Sequence, residues 1–194
     1  MQKNRLEAFS DGVLAIILTI MVLELKVPHD ATDWSALEPL VPVLLSYIMS
    51  FLLVGIFWGN HHHLLHGVKK ASSGIILSNL NMLFWLSLTP FVTAWMGENH
   101  FAPNTIALYA IVFLMSGIAY GILQYLILKQ HKDPTPLMLA IKKQQRKNLI
   151  SFLCQALAIP VAYLSPTVSI VLIAFSAIIW LVPDKNIERA LEQE

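Results

Sequence analysis

Residues 5–28 read RLEAFSDGVLAIILTIMVLELKVP, and this stretch decides the fold. A polar head (Arg5, Glu7, Ser10, Asp11) runs directly into an apolar body from Val13 to Leu23, whose one hydroxyl is Thr19. A helix advances about 100° per residue, so Ile16, Thr19, Ile20 and Leu23 share one stripe. Charged groups at the mouth of an apolar helix are costly, and they call for partners or a task. Taken by itself, the stretch is equally a first membrane helix with a polar cap.

The rest of the chain has the same character. Its 194 residues are 56% hydrophobic and 13% charged, with a mean hydropathy of +0.63, far from the balance of a soluble domain. The apolar run near the N-terminus is preceded by Glu7 and Asp11 and followed by further apolar runs, so it does not read as a cleaved signal. One cysteine, Cys154, leaves no disulfide within the chain and no cysteine metal cluster. Six segments approach the ~20 residues needed to cross a hydrocarbon core: about 6–27, 40–60, 75–96, 105–129, 149–164 and 168–182. The last two are short and separated only by Ser165, Pro166 and Thr167, which suits either a tight turn between two crossings or one re-entrant hairpin.

Lysine and arginine placement sets the topology. Of the 13 basic residues, all but Lys26 fall on one side of this six-span scheme: Lys3, Arg5, Lys69, Lys70, Lys129, Lys132, Lys142, Lys143, Arg146, Lys147, Lys185 and Arg189. The positive-inside rule then puts both termini in the cytoplasm. The fold class is an all-α, multi-pass integral membrane protein forming one domain over residues 1–194, with a short helix in the tail DKNIERALEQE. The basic stretch LMLAIKKQQRKNLIS lies either against cytoplasmic headgroups or as a solvated loop.

Several features carry chemistry. The second span ends FWGNHHHLLH; His62 and His66 stand at i, i+4, a spacing able to hold a metal from one helix face, and an interfacial helix end also accommodates such rings. The remaining histidines are scattered, which argues against a catalytic metal centre, and no metal or cofactor is assigned. Gly55/Gly59 and Gly117/Gly121 have the spacing that permits close helix approach. Pro90 inside the third span should kink it. There is no nucleotide loop, serine elbow, zinc-protease motif or nucleic-acid signature, and no TVGYG carbonyl filter.

Arg5, Phe9, Ser10 and Asp11 match an R-x-x-x-F-S-D motif; Trp58 and His61 fit W-x-x-H; Asn79 followed by Pro90 and Phe91 fits an asparagine-to-L-P-F/Y pattern, with Thr89 in place of the usual leucine. In these ordered motifs the chain resembles the endolysosomal potassium channel family, and it resembles the bacterial members in having one six-helix unit. The resemblance implies a homotetrameric potassium-permeable channel of a bacterial inner membrane, not an enzyme, with potassium ions and lipid as partners. The first helix would line the pore with Ile16, Ile20 and Leu23, Thr19 forming a polar layer. Arg5, Phe9, Ser10, Asp11, Trp58, His61, Asn79 and Pro90 would form the structural motif, in which Asp11 is expected to meet His61 and Asn79. If the helix is already regular at Arg5, that residue would sit near the cytoplasmic vestibule, and Glu24 would gather cations at the outer mouth unless Lys26 offsets it. Two alternatives remain. A secondary transporter wants an acid near the membrane midplane, and spans two to six have none centrally. A membrane enzyme would use the histidine cluster as its metal site.

Overall fold

The protein is described by a computed structural model over residues 3–29, 32–131 and 136–181. Lys132, the tail with Lys185 and Arg189, and its expected short helix lie outside the described residues. Among the described residues the fold is all helical: α1 (Lys3–Met21), α2 (Val41–His66), α3 (Ser73–Ser87), α4 (Thr89–Glu98), α5 (Pro103–Leu128), α6 (Pro136–Lys143), α7 (Gln145–Val161) and α8 (Pro166–Leu181). Among the described residues, four helical stretches are long and apolar enough to cross a membrane: Lys3–Glu24, Trp34–His66, Ser73–Glu98 and Pro103–Leu128.

Local chemistry explains where these elements begin and end. The regular part of α1 stops at Met21 and tightens into a 3₁₀ turn over Val22–Glu24, short of the expected residue 27. Pro28 disfavours a helical Val27, which draws the chain into extended backbone. α2 runs past the expected residue 60 to His66, because His61, Leu64 and Leu65 lie on its buried face and continue the packing stripe. Ser72 caps α3, its hydroxyl accepting from the Ile75 N–H. The third apolar segment is broken at Leu88 into α3 and α4, with Pro90 in the first turn of α4, where its missing N–H is harmless. His100 and Phe101 take left-handed φ values of 49° and 59° in the reversal from α4 to α5, and Phe101 packs against the core.

α5 is the central helix. A wide arc of its surface is buried, including Ile106, Tyr109, Phe113, Ala119 and Leu123. Hydroxyls knit its neighbours: Ser50 Oγ on α2 lies 2.7 Å from Thr93 Oγ1 on α4 and 2.9 Å from the Tyr109 hydroxyl on α5. Such hydrogen bonds hold helices together where lipid offers no hydrophobic drive. α7 and α8 form an antiparallel hairpin stitched by Ser169 Oγ donating to the Ala158 carbonyl, Gln155 Nε2 to Ser176 Oγ, and Trp180 Nε1 to Ser151 Oγ. The turn lies at Ala162–Ser165, so Pro166 opens α8 and does not belong to the turn.

The ends of the helices sort into two levels. Lys3 Nζ donates to the His66 carbonyl, Gln130 Nε2 to the Lys70 carbonyl, and a His131 ring nitrogen lies 2.7 Å from the Gly67 carbonyl. The start of α1, the α2–α3 connection and the end of α5 therefore share one end of the molecule. The α4–α5 turn lies at the other.

The glycine pairs do not make the close approaches their spacing permits. A Cβ built on Gly55, Gly59, Gly117 or Gly121 meets nothing within 4 Å. Gly117 and Gly121 instead border a cavity of about 350 Å³ between α2, α5, α7 and α8. The close crossing is at Gly97, whose Cβ would stand 2.6 Å from Ser46 Oγ and 2.7 Å from the Val43 Cα. Backbone cannot retreat as a side chain can, so Gly97→Ala should cost about 1–3 kcal/mol by overpacking. Gly55→Ala should leave the protomer fold intact. Thermal unfolding of the two purified variants in detergent checks this, and equal melting temperatures would remove the close α2–α4 approach.

Candidate functional site: the braced first helix and its exposed stripe

α1 has two faces. Leu6, Ser10, Leu14, Ile17 and Met21 recur at steps of three and four and are buried. The opposite face carries Arg5, Phe9, Gly12, Ile16, Thr19 and Ile20, all exposed.

The buried face is fixed by Asn79 of α3. Its Nδ2 donates to Ser10 Oγ at 2.9 Å, while its Oδ1 lies 2.7 Å from His61 Nε2 of α2. With the carboxamide so oriented, the His61 Nε2–H donates. Ser10 Oγ in turn donates to the Leu6 carbonyl at 2.9 Å. All three side chains are fully buried. One carboxamide thus ties three helices at a single crossing.

Asp11 makes no hydrogen bond at that crossing, although its charge reaches His61. It was expected to meet His61 and Asn79; instead its Oδ1 accepts from Trp58 Nε1 at 3.0 Å. The reason is angular. On α1, residue 11 lies 100° beyond residue 10, which turns it from α3 toward α2. There it joins a ladder between antiparallel helices: Asp11 meets Trp58, Glu7 Oε1 lies 3.2 Å from His62 Nδ1, and Lys3 Nζ reaches the His66 carbonyl at 2.8 Å. Steps of four down α1 match steps of four up α2.

The other motif residues fall elsewhere. Phe9 is half-exposed on the outer face of α1, away from the bracket. Arg5 is exposed. Pro90 marks the α3–α4 break. Ile16, Ile20 and Leu23 are 57%, 42% and 65% exposed. Leu23 belongs to the 3₁₀ turn, so it no longer follows the regular helical step, yet it stays on the surface. Thr19 Oγ1 lies 3.0 Å from both the Ala15 and Ile16 carbonyls, so its proton turns back into the helix and its lone pairs face outward. At the far end Lys26 Nζ lies 3.6 Å from Glu24 Oε2 and donates to the Leu23 carbonyl, so the Glu24 charge is locally offset.

Residues 5–90 match the family described as endosomal/lysosomal potassium channel TMEM175. Over 193 residues, covering all of both chains, the protein is 49% identical to a potassium channel of Chryseobacterium sp.. It is 33% identical over 126 residues to a potassium channel of Streptomyces collinus, covering 61% of each chain. The crystal structure of a lysosomal potassium-selective channel TMEM175 homolog from Chamaesiphon minutus superposes with a TM-score of 0.83 at 25% identity, covering 94% of this chain and 98% of that one.

The two polar contacts of α1 should differ in weight. Asn79→Ala strands the fully buried His61 Nε2–H and takes a bond from Ser10, at a cost of about 1–3 kcal/mol. Asp11→Ala releases a Trp58 ring that is 47% exposed and should cost about 1 kcal/mol or less. Melting temperatures of the two variants in detergent should rank accordingly, Asn79→Ala lowest; the reverse order would put the main anchor at Asp11.

Proposed function

The chain belongs to the endosomal/lysosomal potassium channel TMEM175 family, and from that premise we propose that it conducts potassium ions passively through a central pore lined by α1. Its named relatives are ion channels, not enzymes. The observation that carries the pore assignment is the two-faced α1: its polar anchors hold one face to α2 and α3, and Ile16, Thr19, Ile20 and Leu23 stand free on the other.

One such helix per protomer cannot enclose a pore, so the working form is a homotetramer. In it four copies of the stripe form stacked apolar rings. Isoleucine and leucine offer no oxygen in place of an ion's hydration shell, so a narrow ring closes by dewetting and a wider one passes a largely hydrated ion. The Thr19 layer has the right polarity for a cation, because its proton is bonded inward and its oxygen is left as an acceptor.

We place six crossings in a bacterial inner membrane with both termini cytoplasmic. α7 and α8 are the shorter fifth and sixth, about 24–26 Å long at 1.5 Å per residue. Supporting this orientation, Lys3, Lys69 and Lys70 gather at the end of the molecule shared by α1, α2, α3 and α5, the side where basic residues belong.

The test compares Ile16→Asn and Thr19→Val in liposomes, at equal amounts of an assembly that light scattering places at about four protomers. Ile16→Asn should hydrate the narrow ring, raising basal potassium and sodium flux several-fold and blurring discrimination between them. Thr19→Val keeps the volume and removes the oxygen layer, so potassium preference should fall without wide opening. Unchanged flux ratios in both variants would put the stripe against lipid and sink the pore assignment.

A further inference from the structure

The ladder between α1 and α2 ends in a cluster that lies off the exposed stripe. We propose that Glu7, His62 and His66 form a binding site for one divalent transition-metal ion, with zinc-like preferences, clipping α1 to the end of α2. One ligand atom from each residue can be chosen so that all three lie within 4.8 Å of one another.

The histidine pair is spaced for a metal. His62 Nε2 and His66 Nε2 are 3.2 Å apart, with ring centroids at 4.7 Å and planes at 82°. Metal–nitrogen bonds of about 2.0–2.1 Å in a tetrahedron put two nitrogens about 3.3 Å apart. Without an ion, a single proton must bridge the two rings; an ion uses both lone pairs. The third ligand is a carboxylate on a different helix: Glu7 Oε1 is 3.2 Å from His62 Nδ1, the ring nitrogen opposite the paired Nε2, so the carboxylate must turn toward the pair to bind the same ion. Two imidazoles, one carboxylate and a water make a donor set suited to zinc and its neighbours, and poor for calcium or magnesium, which want oxygen throughout.

The surroundings hold the ligands without closing the site. The His62 ring stacks on Trp58, with centroids 6.3 Å apart at 29°, and Trp58 is fixed by Asp11. Lys3 donates to the His66 carbonyl and not to its ring. Glu7 and His62 side chains are 21% and 40% exposed, so an ion and its water can enter. His63 stands beside His62, its ring centroid 5.7 Å away, but is outside the three-ligand group. Glu7 lies about 180° around α1 from Ile16, so a bound ion would clip the helix from behind and not plug the stripe. The site stands whether or not α1 lines a pore.

Titration of the purified full-length protein in detergent tests it, with Zn²⁺ by calorimetry and Co²⁺ by absorption spectroscopy. We expect one ion per protomer, a four- or five-coordinate cobalt spectrum, and a higher melting temperature with Zn²⁺. His66→Ala and Glu7→Gln should each weaken binding by at least about tenfold, the lower end of what loss of even an outer-shell partner does. His63→Ala should bind as the parent does. Glu7→Gln keeps the side chain's shape, and its metal-free melting temperature reports whether the fold is intact. Parent-like affinity in a folded Glu7→Gln, or octahedral cobalt lost only with His66→Ala, would reduce the cluster to a histidine pair on one helix and overturn the proposal.

Discussion

The structure hangs on one buried carboxamide. Asn79 has a donor and an acceptor at the end of a short, stiff side chain, and it uses the first on Ser10 of α1 and the second on His61 of α2. In an apolar surround, an unmade hydrogen bond costs far more than a made one gains, so this crossing tolerates little rotation or sliding of α1. Apolar packing alone would not be so strict, because Leu14, Ile17 and Met21 could repack around a rotated helix. The polar ladder of Lys3, Glu7 and Asp11 against α2 acts in the same direction from the adjoining face. Two sets of contacts about a quarter turn apart fix the helix about its own axis.

The membrane class and the exposed stripe on the first helix could be read from the sequence, and a basic side proposed from it, because each is periodic or additive. Hydropathy sums along a window, basic residues are counted per connection, and a stripe follows from the step of a single helix. Contacts between helices do not reduce to such rules. Ser10, His61 and Asn79 were matched to motifs, but their pairing depends on the crossing of three helices. That is why the motifs suggest a hydrogen bond from Asp11 to His61 and Asn79, while the bond it makes is to Trp58. A signal did exist: acidic or basic residues at 3, 7 and 11 step against aromatic rings at 66, 62 and 58, as an antiparallel pair demands. The glycine pairs mislead for the opposite reason. Spacing reports only what a helix permits, while the contact at Gly97 arises from how α4 meets α2.

α1 and α5 divide two tasks between them. α5 is buried over a wide arc and braces α3, α4 and α7, so its sequence answers to packing. α1 is buried along one narrow stripe, leaving its other face to answer to something outside the protomer. A helix can serve an oligomeric axis only on such terms. It needs enough attachment on one side to be rigid and none on the other.

Rigidity is the requirement that an apolar pore places on its lining. The backbone of α1 is hydrogen-bonded within its own helix, so on the proposed arrangement no carbonyl is free to strip an ion of water. Discrimination must then come from width and from the Thr19 oxygen layer. Side-chain tips stand about 5–6 Å from a helix axis, so a 20° rotation of α1 would carry the tip of Ile16 sideways by about 2 Å. Repeated around a fourfold ring, that displacement is comparable to the ionic dimensions being discriminated. A carbonyl filter corrects small errors by coordinating the ion; a ring of isoleucine cannot. On that arrangement the precision would have to be supplied from behind, which would place the Ser10–Asn79–His61 crossing among the determinants of selectivity although none of its atoms faces the stripe.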